Sequence, residues 1–132
     1  MNKLVLLIFC TTSLLSCTIF TNDEETDLIG KWELSQILSD PGDGSGTFRD
    51  IDSDKTIQFF SGGTILSKNG TLCGININSD DDGIGTFSLD EKRISPVNCE
   101  FDFIKPSFEI EGNTLIINYP CIERCSEKYR KK

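Results

Sequence analysis

The stretch Asp27-Leu28-Ile29-Gly30-Lys31-Trp32-Glu33-Leu34-Ser35-Gln36-Ile37 holds the only tryptophan of the chain and marks where a polar leader becomes a folded domain. Trp32, Leu34 and Gln36 fall on one face, and Lys31, Glu33, Ser35 and Ile37 on the other. This is mostly the two-residue alternation of a half-buried strand. Gly30, just before it, lets the backbone turn sharply into the strand without a Cβ clash.

Downstream, short strands alternate with turn chemistry. The first strand runs to about Leu38, and the glycine-rich Ser39–Gly46 follows as a long, flexible connection. No apolar helix comes after those glycines, so a phosphate loop is excluded and a loop at a barrel mouth is expected. Lys55–Phe60, Thr64–Ser67, Thr71–Ile77, Ile84–Leu89, Glu100–Ile104, Ser107–Glu111 and Thr114–Tyr119 read as strands. Asn69-Gly70 is the strongest hairpin signal. Cys121–Lys132 reads as one helical turn and a frayed basic tail. The spacing of about eight strands predicts an all-β fold, an antiparallel up-and-down barrel whose closure removes exposed edges. A β-sandwich would need longer crossovers.

Upstream, Lys3 and the apolar run Leu4–Phe9 form a targeting segment that falls short of the ~20 apolar residues of a membrane span. Leu14-Leu15-Ser16-Cys17 resembles the lipobox of bacterial lipoproteins. The resemblance implies cleavage before Cys17 and acylation of Cys17, with palmitate among the chains; the alternative is an ordinary secretory signal. More than one acyl chain gives durable anchoring. The expected division is a signal peptide over 1–16, a lipidated tether over 17–27 and a domain over 28–132. In some Gram-negative lineages acids placed like Asp23-Glu24-Glu25 accompany export to the cell surface. They also suit the first turn of a helix. The expected location is the outer membrane, on its periplasmic or cell-surface face.

Removing residues 1–16 leaves 116 residues and takes one lysine away, so the formal charge moves from −8 to −9. That length suits one domain. An acidic chain without histidine is a poor ligand for nucleic acid or anionic lipid. Cys73, Cys99, Cys121 and Cys125 remain for two disulfides, with three pairings open. A turn after Pro120 would bring cysteines four apart within reach, which favours Cys121 with Cys125 and Cys73 with Cys99.

Gly30-Lys31-Trp32 resembles the Gly-x-Trp signature of lipocalins. With the run Asp40–Phe48, the strand Thr56–Phe60 and the end Tyr119–Cys125, the chain from 28 to 130 resembles small lipocalin-like (calycin) lipoproteins of Gram-negative bacteria. The resemblance implies a barrel floor of Gly30 and Trp32 under a late arginine. Arg124 is the expected partner, with Arg130 and Arg93 as alternatives. The chain is shorter than classical lipocalins, so a shallow barrel is expected.

Other constellations carry less. Asn78–Gly83 begins like a calcium loop but has Leu89 where a bidentate glutamate belongs; Asp50, Asp52 and Asp54 lack the glycine. Without histidine, and with oxidised cysteines, neither triads nor a zinc site are favoured. Glu109 and Glu111 lie on the polar face of a strand. No catalytic residue, metal or cofactor is expected, and a monomer is.

Two functions are expected. The first is a membrane-anchored barrel that binds a small apolar or amphipathic ligand, lined by Phe59, Phe87, Phe101, Phe103, Phe108 and Ile117 and gated by Ser39–Gly46 and Asn78–Gly83. The second is a filled barrel whose acidic loops dock or inhibit a basic protein partner.

Overall fold

The computed structural model describes residues 23–132; the expected signal peptide, the lipidation site Cys17 and most of the tether lie outside the described residues. The last part of the expected tether forms a short helix, α1 (Asp23–Leu28). Nine strands come after it: β1 (Gly30–Ser39), β2 (Arg49–Asp50), β3 (Thr56–Phe59), β4 (Thr64–Lys68), β5 (Gly83–Ser88), β6 (Arg93–Pro96), β7 (Ser107–Glu111), β8 (Thr114–Tyr119) and β9 (Cys125–Lys131).

From β3 to β9 each strand pairs antiparallel with the next, and β9 closes on β1, from Trp32 opposite Lys131 to Ser39 opposite Cys125. The result is a closed, eight-stranded, up-and-down barrel, the lipocalin-like architecture. β9 occupies one edge of β1 along its length. On the other edge β3 takes Gly30–Glu33 and β2 takes Gln36 and Ile37.

β1 departs from simple alternation. Its register against β9 slips between Leu34 and Gln36, a bulge centred on Ser35. A bulge adds one unpaired residue and reverses the phase of the residues after it. Ile37 therefore joins the buried core with Trp32 and Leu34, while Gln36 bonds the exposed Asp50 through Nε2 to Oδ1 at 2.8 Å. The expected grouping of Gln36 with Trp32 is corrected by that one residue.

The two ends of the barrel differ. At the end where β1 starts, the connections are the short turns 60–63, 89–92 and 112–113. At the other end they are long: 40–48, 51–55, 69–82, 97–106 and 120–124. Two segments expected as strands belong to these long connections. Thr71–Ile77 finds no ladder partner because β4 pairs directly with β5, Ser67 opposite Gly83, and the chain between them folds over the barrel end with Leu72 buried. Glu100–Ile104 bulges outward between Pro96 and Pro106. A proline has no N–H to donate, and β6 meets β7 in register only at Arg93 opposite Ser107.

The C-terminal segment is a third correction. In place of a helical turn and a frayed tail, it forms β9, which pairs with both β8 and β1. Its inward residues include Cys125, Glu127 and Tyr129, so the buried face does not read as apolar.

The disulfides are Cys73–Cys99 and Cys121–Cys125, the favoured pairing. The first ties the 69–82 segment to the 97–106 loop. The second staples the β8–β9 turn, whose flanking residues Tyr119 and Cys125 are themselves register partners.

Candidate functional site

The floor sets how much of the interior is left. Trp32 is fully buried, and its Nε1 donates to the Leu28 carbonyl at 2.9 Å, at the end of α1. Gly30 turns the chain from helix to strand at φ +127°, a conformation that a side chain would strain. The cation over the Trp32 ring is Lys131, with Nζ 5.4 Å from the centroid. Its ammonium also bonds the Asp27 carbonyl, where the helix leaves unsatisfied acceptors and favours positive charge. The expected partner Arg124 is elsewhere. Its carbonyl accepts from the Asp40 N–H at 2.9 Å, beyond the far end of β1, and its side chain is exposed. The closing register of β1 on β9 decides this, since it sets Lys131 opposite Trp32 and leaves Arg124 past Ser39.

Above the floor the interior is packed. Phe59 meets Phe87 edge-on at 5.0 Å between centroids and Phe108 at 5.9 Å. Ile57, Ile65, Ile94, Leu115 and Ile117 fill the middle. Of the residues expected to line a cavity, Phe59, Phe108 and Ile117 are buried in this core and Phe87 packs against it. Phe101 and Phe103 are outside, stacked on each other at 5.3 Å in the 97–106 loop.

Near the open end the interior becomes polar. The Lys55 Nζ lies 2.8 Å from Glu127 Oε1 and 2.9 Å from Oε2, and both side chains are wholly buried. Tyr119 and Tyr129 each donate a phenolic O–H to Glu127 Oε2, at 2.7 and 2.6 Å. The Asn76 N–H donates to Oε1 at 2.9 Å and so ties the 69–82 segment to the pair. Gly70 makes this possible: a Cβ there would stand 2.5 Å from Lys55 Cδ and 2.6 Å from Asn76 Oδ1. Burial holds the Lys55 amine below its usual range, against the opposing pull of Glu127. Burial, and then the Glu127 carboxylate, pushes both phenols well above theirs.

None of these residues stood out in the sequence. The available signal was phase: Lys55 shares the inward face of Ile57 and Phe59, and Glu127 shares that of Cys125 and Tyr129. A lysine and a glutamate, both inward in a closed barrel, must find partners because an unpaired buried charge is too expensive.

The rim loops are tied down. The Asp40 carboxylate accepts from the backbone of Gly42, Gly44 and Gly46, and these bonds hold its pKa below the usual carboxylate value. That makes Ser39–Gly46 an aspartate-centred turn. In the 78–83 loop, Asn78 Oδ1 accepts from the Asp54 N–H, and Asp82 takes the Asn69 N–H and the Lys68 ammonium. These oxygens bind loop to loop; among the described residues no group of three acids or cysteines is arranged to hold a metal ion. Beside this loop is a hollow of about 340 Å³ whose walls include Cys73, Asp81, Asp82, Ile84 and Val97.

The fold and this rim define the class of protein: a small, closed, lipocalin-like barrel. No family model, curated protein or solved structure matches the chain.

Proposed function

We propose that this is a lipid-anchored, lipocalin-like lipoprotein of the outer membrane whose barrel is a scaffold and whose open-end loops dock a protein partner. The observation that carries the reading is the wholly buried Lys55–Glu127 pair beneath the mouth. An apolar ligand entering there would strip a charge pair of its hydrogen bonds in a water-poor interior, at several kcal/mol. The lipobox at Cys17 supports the anchor, and the helix that follows it packs at the floor. With the anchor at Cys17, this arrangement supports a rim that faces away from the lipid.

A second reading, a small amphipathic ligand under the 69–82 segment, is favoured by one observation. Asn76 Oδ1 is buried without a hydrogen-bond partner, which marks the segment's contact with the barrel as incomplete. Titration of the intact protein with a panel of fatty acids, haems and sterols separates the two. Absence of saturable binding is expected; stoichiometric binding abolished by Lys55→Met would move the function inside the barrel. The anchor is tested by metabolic palmitate labelling, which Cys17→Ala should abolish.

A further inference from the structure

We infer that the docking face is the hollow between the 69–82 segment and the start of β5, together with the Phe101–Phe103 stack, and that it takes an arginine-bearing, cationic segment of a protein partner. The inference rests on the docking reading and gives it a place and a chemistry.

Three observations converge there. The Val97 N–H donates to the Ile84 carbonyl at 2.9 Å, so the two residues are cross-strand neighbours, and both side chains are half exposed on the outer wall beside the hollow. Four and six residues beyond Val97, Phe101 and Phe103 stack in solvent, with Phe103 71% exposed. Cys99 bonds Cys73, a wall of the hollow, and so fixes the aromatic loop beside it. Large apolar side chains gathered in one exposed place mark interaction surfaces.

Charge names the occupant. Asp81, Glu100 and Asp102 flank these apolar groups, all exposed, and among the described residues none of them is in an ion pair. Of the nearby cations, Lys68 is engaged by Asp82, Arg93 donates to the Lys105 carbonyl at 3.0 Å, and the exposed Lys105 stands against Asp81, Glu100 and Asp102 with no ion pair of its own among the described residues. A partner must therefore bring positive charge and an apolar stem. Arginine offers both: its methylenes cover Ile84 and Val97, its guanidinium grips a carboxylate with two hydrogen bonds, and its plane stacks on phenylalanine. A second copy of this chain does not fit, because its C-terminal basic run is built into β9. An anionic membrane would be repelled by the same acids.

The test uses the intact chain in detergent and fluorescent nonapeptides alternating leucine with arginine, lysine or glutamate, read by anisotropy. The arginine peptide should bind, the lysine peptide more weakly and the glutamate peptide not at all. Asp81→Asn, and Phe101→Ser with Phe103→Ser, should each weaken binding roughly tenfold; Asp90→Asn, in a turn at the closed end, should not. No binding of the arginine peptide, or binding unchanged in both variants, overturns the inference. Photo-crosslinking on cells, from a probe at position 103 and another at position 43, keeps the two levels apart. A single identified protein adduct from position 103 supports both levels. An adduct from position 43 alone leaves docking standing and removes this face. Adducts from neither remove the docking reading itself.

Discussion

The closed and open ends of the barrel are sealed by opposite chemistries. At the closed end Phe59 packs edge-on against Phe87 and Phe108, buried Trp32 bonds the end of a short helix, and the turns between strands are brief. At the open end a carboxylate gathers an ammonium, two phenols and a backbone N–H, under long loops fastened by disulfides. The first arrangement is non-directional and tolerates approximate shapes. The second is directional, and it stands only while every member has its partner. The contrast teaches that a barrel mouth can be closed largely by a buried polar cluster, with Leu72 as its apolar cover and Asn76 Oδ1 as its one unpaired atom among the described residues.

The largest effect is expected from breaking the open end at its centre. Glu127→Leu strands the Lys55 ammonium, both phenols and the Asn76 N–H in a dry interior, and should cost about 5 kcal/mol, the upper end for one partner of a buried pair. A denaturation midpoint within 1 M urea of wild type, roughly 1–3 kcal/mol at typical slopes, would mean that water satisfies these groups. Trp32→Ala attacks the other end and should cost about 4 kcal/mol as a large core truncation. If it proves as stable as wild type, the floor assignment fails.

Alkaline pH tests the open end without mutation. Tyr119 and Tyr129, the only tyrosines in the chain, have folded pKa values above the unfolded 10.0. Their contribution to stability is thus complete below pH 10 and is lost as pH rises through the folded values. Lys55, lowered from 10.5, acts in the opposite direction, but one amine faces two phenols. Stability should fall above about pH 10, and the tyrosinate absorbance at 295 nm should rise together with unfolding. Phenols that titrate near pH 10 in the folded protein would show the network to be open to water.

The smallest effect sharpens the floor. Lys131→Ala should cost about 1 kcal/mol through its lost contact with the Trp32 ring, and Arg124→Ala less than about 0.5 kcal/mol as an exposed substitution. Equal losses in thermal melts would mean that the Lys131 contact contributes nothing.

Much of the fold was legible. Alternation in β1, β3, β4, β5, β7 and β8 and the turn residues between them gave the barrel and turned Phe59, Phe87, Phe108 and Ile117 inward, while Phe101 and Phe103, expected with them, lie outside. The same signal misled where no ladder existed: Thr71–Ile77 and Glu100–Ile104 alternate as strands do, but prolines and direct pairing of the flanking strands leave them without partners. In β1 the reading failed at one residue, Ser35, because a bulge is a property of two strands and not of one. The open-end cluster was illegible for a related reason. Lys55 and Glu127 are 72 residues apart and look like surface charges until closure turns both inward.

The sequence by itself determined the strand-rich character, the floor tryptophan behind Gly30, the four-cysteine framework and the acidic surface. Each of these is written in local pattern or composition. Only the tertiary structure decided that β9 closes the barrel, that Lys131 and not Arg124 lies over Trp32, and that a buried ion pair takes the mouth. Each of those depends on register between strands distant in the chain, and register is a relation that no single segment contains.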